Sequence, residues 1–206
     1  MDRAQGFCCV YSGAMYTDRD LHVLAQLGRI AANHSFLQLI LEGVVWEICE
    51  LDRERGEAVT GGMSFRVLAD TAFNLADLRY PDSPFRELFA SRVDRANELR
   101  DRFLHSRWLF PLTGPESDAI NRLFGLDSDA VRAKYARRQG RVIAESVSLD
   151  TITEAAGSIE SVALDVAAWL DQLIPEGETL ERVSANLLRQ LESRGFDVAS
   201  LLDSSD

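Results

Sequence analysis

The run SLDTITEAAGSIESVALDVAAWLDQL, Ser148 to Leu173, decides the fold class. Its apolar residues Ile152, Ala156, Ile159, Ala163, Val166, Leu170 and Leu173 alternate by four and three without a miss, which is the spacing of one helical face. Ser148 is a good N-cap, and Pro175 and Gly177 stop the helix. So long an amphipathic stripe needs other helices to cover it.

Those helices are written on the N-terminal side. From Asp18 to Leu51 a stripe of Leu27, Ile30, His34, Leu37, Leu41, Val44 and Ile48 recurs at steps of three and four, predicting one long helix. Gly28 and Gly43 each cost it about 1 kcal/mol relative to Ala, which suits a bend or a close helix contact. The charged run Asp52-Arg53-Glu54-Arg55 and then Gly61-Gly62 read as a connection. Ser64 caps a second helix from Phe65 to Arg79, with Phe65, Leu68, Ala72 and Leu75 on one face. Pro81-Asp82-Ser83-Pro84 breaks the chain and restarts it as a third helix, Phe85 to Trp108.

Pro111 and Gly114 close that region, and Thr113 to Asp129 reads as irregular with a helical turn around Asp118 to Phe124. Ala130 to Tyr135 and Val142 to Val147 flank Arg138-Gln139-Gly140 as a small β-hairpin. Beyond Leu173, Thr179 caps a last helix, Leu180 to Arg194, with Gly195 at its stop. The expected fold is therefore mainly α, a bundle of four to five helices with a small hairpin near 130–147. It divides into an N-terminal segment (1–16), the bundle (17–174) and an acidic C-terminal helix and tail (175–206).

The longest apolar stretch, Phe36 to Cys49, is interrupted by Gln38, Glu42 and Glu47 and falls short of the roughly 20 apolar residues of a membrane span. Met1 to Tyr16 makes no convincing secretory signal, so a cytoplasmic protein with Cys8, Cys9 and Cys49 as reduced thiols is expected, without a membrane partner. The formal net charge of -11 is unevenly spread: Glu145 to Asp206 holds thirteen acidic and three basic residues. Between Arg132 and Arg141 stand five basic residues (Arg132, Lys134, Arg137, Arg138, Arg141) and no acid. A local basic surface thus coexists with an acidic chain.

Glycine loops for phosphate, helical zinc pairs and serine elbows are absent, and no His pair or Cys cluster has the spacing of metal ligands. Three histidines remain. His34 lies on the apolar stripe and reads as a core or interface residue; His22 lies among polar neighbours and reads as solvated. His105 is different, because Asp101 stands four residues before it on a helix, where a carboxylate can meet the imidazole and favour its protonated form. Arg100 lies five residues away, roughly 140° around an ideal helix, so bringing it to His105 is expected to require a second helix across a two-fold axis. The plain alternative is an exposed, salt-bridged helix face.

The segment Arg100-Asp101-Arg102-Phe103-Leu104-His105 resembles the hallmark of HEPN-domain proteins: an arginine, a polar residue that is often Asn, three more residues, and a histidine near the end of a core helix. The resemblance extends, weakly, from the first helix through Thr60-Gly61-Gly62-Met63-Ser64-Phe65 to the fourth long helix, covering roughly 17–174. It implies a small helical bundle acting as a homodimeric, metal-independent endoribonuclease or RNA-binding protein, in systems that include toxins with antitoxin partners and phage defence. No cofactor is implied. Carried over by position, His105 acts as general acid or base and Arg100 stabilises charge on the phosphoryl oxygens, while Asp101 departs from the commoner Asn. Arg102, Arg132, Lys134, Arg137 and Arg138 are the candidate RNA-phosphate contacts. Trp108, just after the motif, reads more readily as a packing residue than as a base-stacking platform. The competing expectation is a non-catalytic helical dimerisation or protein-interaction module, favoured by the acidic C-terminal third.

Overall fold

The computed structural model describes residues 17–110, 122, 130–136 and 141–173, for 109, 130–136, 141–144 and 173 the backbone alone. It is mainly helical, a bundle carrying a small antiparallel sheet. In chain order the elements are α1 (Asp18–Ile48), α2 (Arg53–Thr60), α3 (Phe65–Arg79), α4 (Phe85–Leu104), β1 (Arg107–Leu109), β2 (Ala130–Ala136), β3 (Arg141–Val147) and α5 (Leu149–Leu173). No helix among the described residues is long and apolar enough to cross a membrane. Backbone contacts divide the chain into two units, Met1–Asn33 with Ala96–Ile159 and His34–Arg95 with Glu160–Asp206, so that α1, α4 and α5 each contribute to both.

In the first unit α1 opens with a reciprocal cap. Thr17 Oγ1 accepts from the Asp20 N–H at 3.2 Å and Asp20 Oδ2 accepts from the Thr17 N–H at 2.8 Å, satisfying two donors that the first turn leaves unpaired. Asp18 and Asp20 also place negative charge at the positive end of the helix dipole. Val23 and Ile30 of α1, Ala96, Leu99 and Phe103 of α4, and Ile152, Ala156 and Ile159 of α5 are buried. Asn33 Nδ2 donates to the Ala156 carbonyl at 3.1 Å, tying α1 to α5. The three strands form one antiparallel sheet in the order β1-β2-β3, with Trp108 opposite Arg132 and Arg132 opposite Glu145. Ser148 caps α5 by accepting from the Thr151 N–H at 3.1 Å.

The second unit holds the larger apolar core: Leu37, Ile40, Leu41, Val44 and Val45 of α1, Leu68, Ala72 and Phe73 of α3, Phe85, Phe89 and Val93 of α4, and Ala163, Val166 and Leu170 of α5. Phe85 is its centre. Its ring stacks on Trp169 at 3.8 Å and meets Phe73 and Phe89 at 5.1 and 5.2 Å, while the Trp169 indole donates to Ser83 Oγ at 3.2 Å. The predicted stripe of α5 is buried at every position whose side chain is described, from Ile152 to Leu170. His34 is buried with its ring 4.3 Å from Phe65, the core position expected of it. His22 is exposed, its Nδ1 donating to the Asp18 carbonyl at 2.7 Å.

Two expectations need correction. The run read as a connection after α1 is itself helical from Arg53 to Thr60, capped by Asp52 Oδ1 accepting from the Arg55 N–H at 2.9 Å. It lacks an apolar stripe because its inward face is made of Gly56 and Thr60, and the Trp46 indole donates to Thr60 Oγ1 at 3.0 Å. A Cβ at Gly56 would stand 2.6 Å from two atoms of the Trp46 ring. Gly56→Ala is therefore expected to destabilise by about 1–3 kcal/mol through overpacking, read as a lower urea midpoint; an unchanged midpoint would contradict the packing of α2 on Trp46.

The second correction concerns α4, which ends at Leu104 rather than at Trp108. Three of its last carbonyls are taken: the His105 N–H reaches the Asp101 oxygen at 3.4 Å, Ser106 Oγ donates to the Arg102 oxygen at 2.6 Å, and Trp108 Nε1 donates to the Phe103 oxygen at 2.9 Å. These bonds satisfy the helix end, and the chain goes straight into β1. The expected hairpin is present, lengthened by one residue on each strand and joined by β1 as a third. The turn expected around Asp118 to Phe124, the last helix from Leu180 to Arg194, Cys8 and Cys9 lie outside the described residues, apart from Arg122, which is helical.

Candidate functional site

All the described site residues belong to the first unit, where the last turn of α4 runs into β1. Phe103 anchors that turn: it is fully buried, and its ring lies parallel to Trp108 at 6.1 Å. Trp108 is a packing residue, as its place suggested. With Phe103 facing inward, Arg100, Asp101 and His105 are left on the accessible side, their side chains 35, 48 and 60% exposed.

The three side chains converge within one chain. Arg100 Nη1 donates to Asp101 Oδ1 at 2.7 Å and lies 3.0 Å from His105 Nε2. A guanidinium can only donate, so a hydrogen bond at this contact has Nε2 as its acceptor, as in the Nδ1–H tautomer. Asp101 Oδ1 is 3.6 Å from His105 Nε2, an ion-pair distance but longer than a hydrogen bond. The expectation that a second helix would be needed to bring Arg100 to His105 is thus overturned. The angular argument assumed that the helix continues through His105, whereas α4 stops at Leu104 and the long arginine side chain folds across the turn. The expected Asp101–His105 pair is present at 3.6 Å, with Arg100 bridging the two.

Arg102 points elsewhere. Its Nη2 donates to Glu145 Oε1 of β3 at 2.5 Å, and its guanidinium carbon lies 5.6 Å from the Phe103 ring centre. Arg102 therefore pins the end of α4 to the sheet, and its charge is met by a carboxylate. Glu145 was not anticipated as a site neighbour, since it lies 43 residues downstream and only the strand register brings it across from Arg132 and next to the helix. Arg132 and Lys134 sit in β2 two residues apart, opposite Glu145 and Ile143; Arg137 and Arg138 lie outside the described residues. Arg107, also not anticipated, begins β1 and is exposed.

Among the described residues no group of three or more His, Cys, Asp or Glu stands together as metal ligands would. Comparison of the chain with protein-family models, with curated proteins and with solved structures yields no match.

Chemically, the arrangement offers an imidazole whose Nε2 lies beside a cation, and a cation shared with a carboxylate. A phosphate entering the site competes with Asp101 for Arg100. Asp101→Asn keeps the shape and removes the competing charge. If the site takes phosphate, affinity for a phosphate-bearing ligand such as RNA is expected to rise roughly fivefold, the equivalent of the ~1 kcal/mol that one exposed charge interaction is worth. Fluorescence anisotropy with a labelled RNA checks this, and weaker binding by the variant would show that Asp101 helps rather than hinders.

Proposed function

We propose that this chain is an HEPN-like, metal-independent RNA-cleaving or RNA-binding protein that works as a homodimer, of the kind found in toxin and phage-defence systems. The observation that carries the reading is the 3.0 Å approach of Arg100 Nη1 to His105 Nε2, which puts a proton acceptor and a phosphate-binding cation at one point. The HEPN-like pattern of the segment supports it, and so does the helical bundle.

In this reading an RNA phosphate draws Arg100 away from Asp101 and His105. The freed Nε2 takes the proton of the ribose 2′-hydroxyl, whose oxygen attacks the adjacent phosphorus. Arg100 stabilises the charge that builds on the phosphoryl oxygens. The bond from phosphorus to the 5′-oxygen breaks, leaving a 2′,3′-cyclic phosphate, and the departing 5′-oxygen takes a proton from the imidazolium of a facing protomer. The test is cleavage of labelled RNA in excess EDTA. Products ending in a cyclic phosphate support the reading, and a folded protein that neither binds nor cuts RNA overturns it.

One observation favours a second reading, a non-catalytic dimerisation or protein-interaction module that includes an antitoxin-type partner. Arg100 and Arg102 are each already met by a carboxylate of the same chain, as in an ordinary salt-bridged surface.

A further inference from the structure

We propose that Arg107 is the residue at which the phosphate backbone of a single-stranded RNA first docks, a role that rests on the RNA reading above. After α4 ends, Ser106 and Trp108 turn back onto the helix: Ser106 Oγ donates to the Arg102 carbonyl, and the Trp108 indole donates to the Phe103 carbonyl. His105 stands in the turn that ends α4 and Arg107 opens β1, and both are exposed. Two residues apart in the chain, their Cα atoms stand at most about 7 Å from each other. Arg107 thus stands one short step from the proposed base.

Its charge is available in a way that its neighbours' charges are not. Arg100 is bonded to Asp101, and Arg102 to Glu145. Arg107 makes no ion pair or side-chain hydrogen bond among the described residues. Its register partner on β2 is Ala133, which in turn faces Ala144 on β3, so its row of the sheet carries no acid. A phosphate reaching Arg107 displaces no carboxylate of the described residues, whereas one reaching Arg100 must displace Asp101. The planar guanidinium also suits the two-oxygen grip of a phosphate better than an ammonium does. The order follows: Arg107 captures a backbone phosphate, and the neighbouring phosphate then competes with Asp101 for Arg100.

The experiment measures binding of a labelled single-stranded RNA by anisotropy, across a salt series, for wild-type protein and for Arg107→Ala and Arg107→Lys. Arg107→Ala is expected to raise Kd by roughly threefold to tenfold at low salt and to reduce the slope of log K against log salt by about 0.7, the loss of one phosphate contact on a single strand. Arg107→Lys should restore the slope. If wild type binds but Arg107→Ala has the same Kd and slope, the Arg107 role falls and the RNA reading stands. If wild-type protein binds no RNA, both fall.

Discussion

On the proposed RNA-cleaving reading, His105→Ala is expected to lower chelator-resistant RNA cleavage by about 10²–10⁴-fold, the range a positioned general acid or base contributes. The imidazole sits on the accessible side of the α4 terminus, is 60% exposed and fills no core space, so its removal should leave stability within about 0.5 kcal/mol. Lost cleavage with an unchanged melting transition therefore reports chemistry rather than unfolding. The substitution also deletes the acceptor 3.0 Å from Arg100 Nη1 and leaves the guanidinium with Asp101. RNA binding should survive while cutting does not. Equal cleavage by wild type and variant would show that the nuclease lies outside this triad, and equal silence from two folded proteins would shift the balance to the interaction module.

Phe85→Ala is expected to destabilise the protein by about 3–5 kcal/mol, the usual cost of deleting a fully buried phenyl group without collapse of the space it leaves. Phe85 has no exposed surface, stacks on Trp169 and touches the rings of Phe73 and Phe89, so the cavity would open beneath α3, α4 and α5 together. Domain stabilities are typically about 5–15 kcal/mol, so this one change would remove a large share. Leu78→Ala is the control: that side chain is 81% exposed on α3, and its loss should cost under about 0.5 kcal/mol. A urea midpoint that moves equally for both variants would contradict the core described for this unit.

The amphipathic helices were legible because burial and periodicity are the same fact seen twice. A stripe at steps of three and four has one stable use, and in α5 every described member of that stripe is buried. Ser64 and Ser148 marked helix starts for an equally local reason, since a hydroxyl at the cap reaches the third N–H without help from elsewhere. The hairpin was legible from its two β-rich runs. Helix α2 was not, because its buried face is a glycine and a threonine against an indole that lies earlier in the chain.

At the site, the segment from Arg100 to His105 was visible in the sequence, but its geometry was not. Chain order placed Asp101 one helical turn from His105 and Arg100 on a diverging bearing, which holds only while the helix lasts. Where α4 stops depends on Ser106 and Trp108 competing for its last carbonyls and on β1 finding β2 more than twenty residues downstream. That termination lets Arg100 reach His105, sends Arg102 to Glu145, and leaves Arg107 exposed beside them. The sequence by itself determined a mainly helical chain and the residue types at one helix end, because these follow from neighbours within a turn or two. The tertiary structure alone decided which of those charges meet each other, because strand pairing and helix termination are settled by partners remote in the chain.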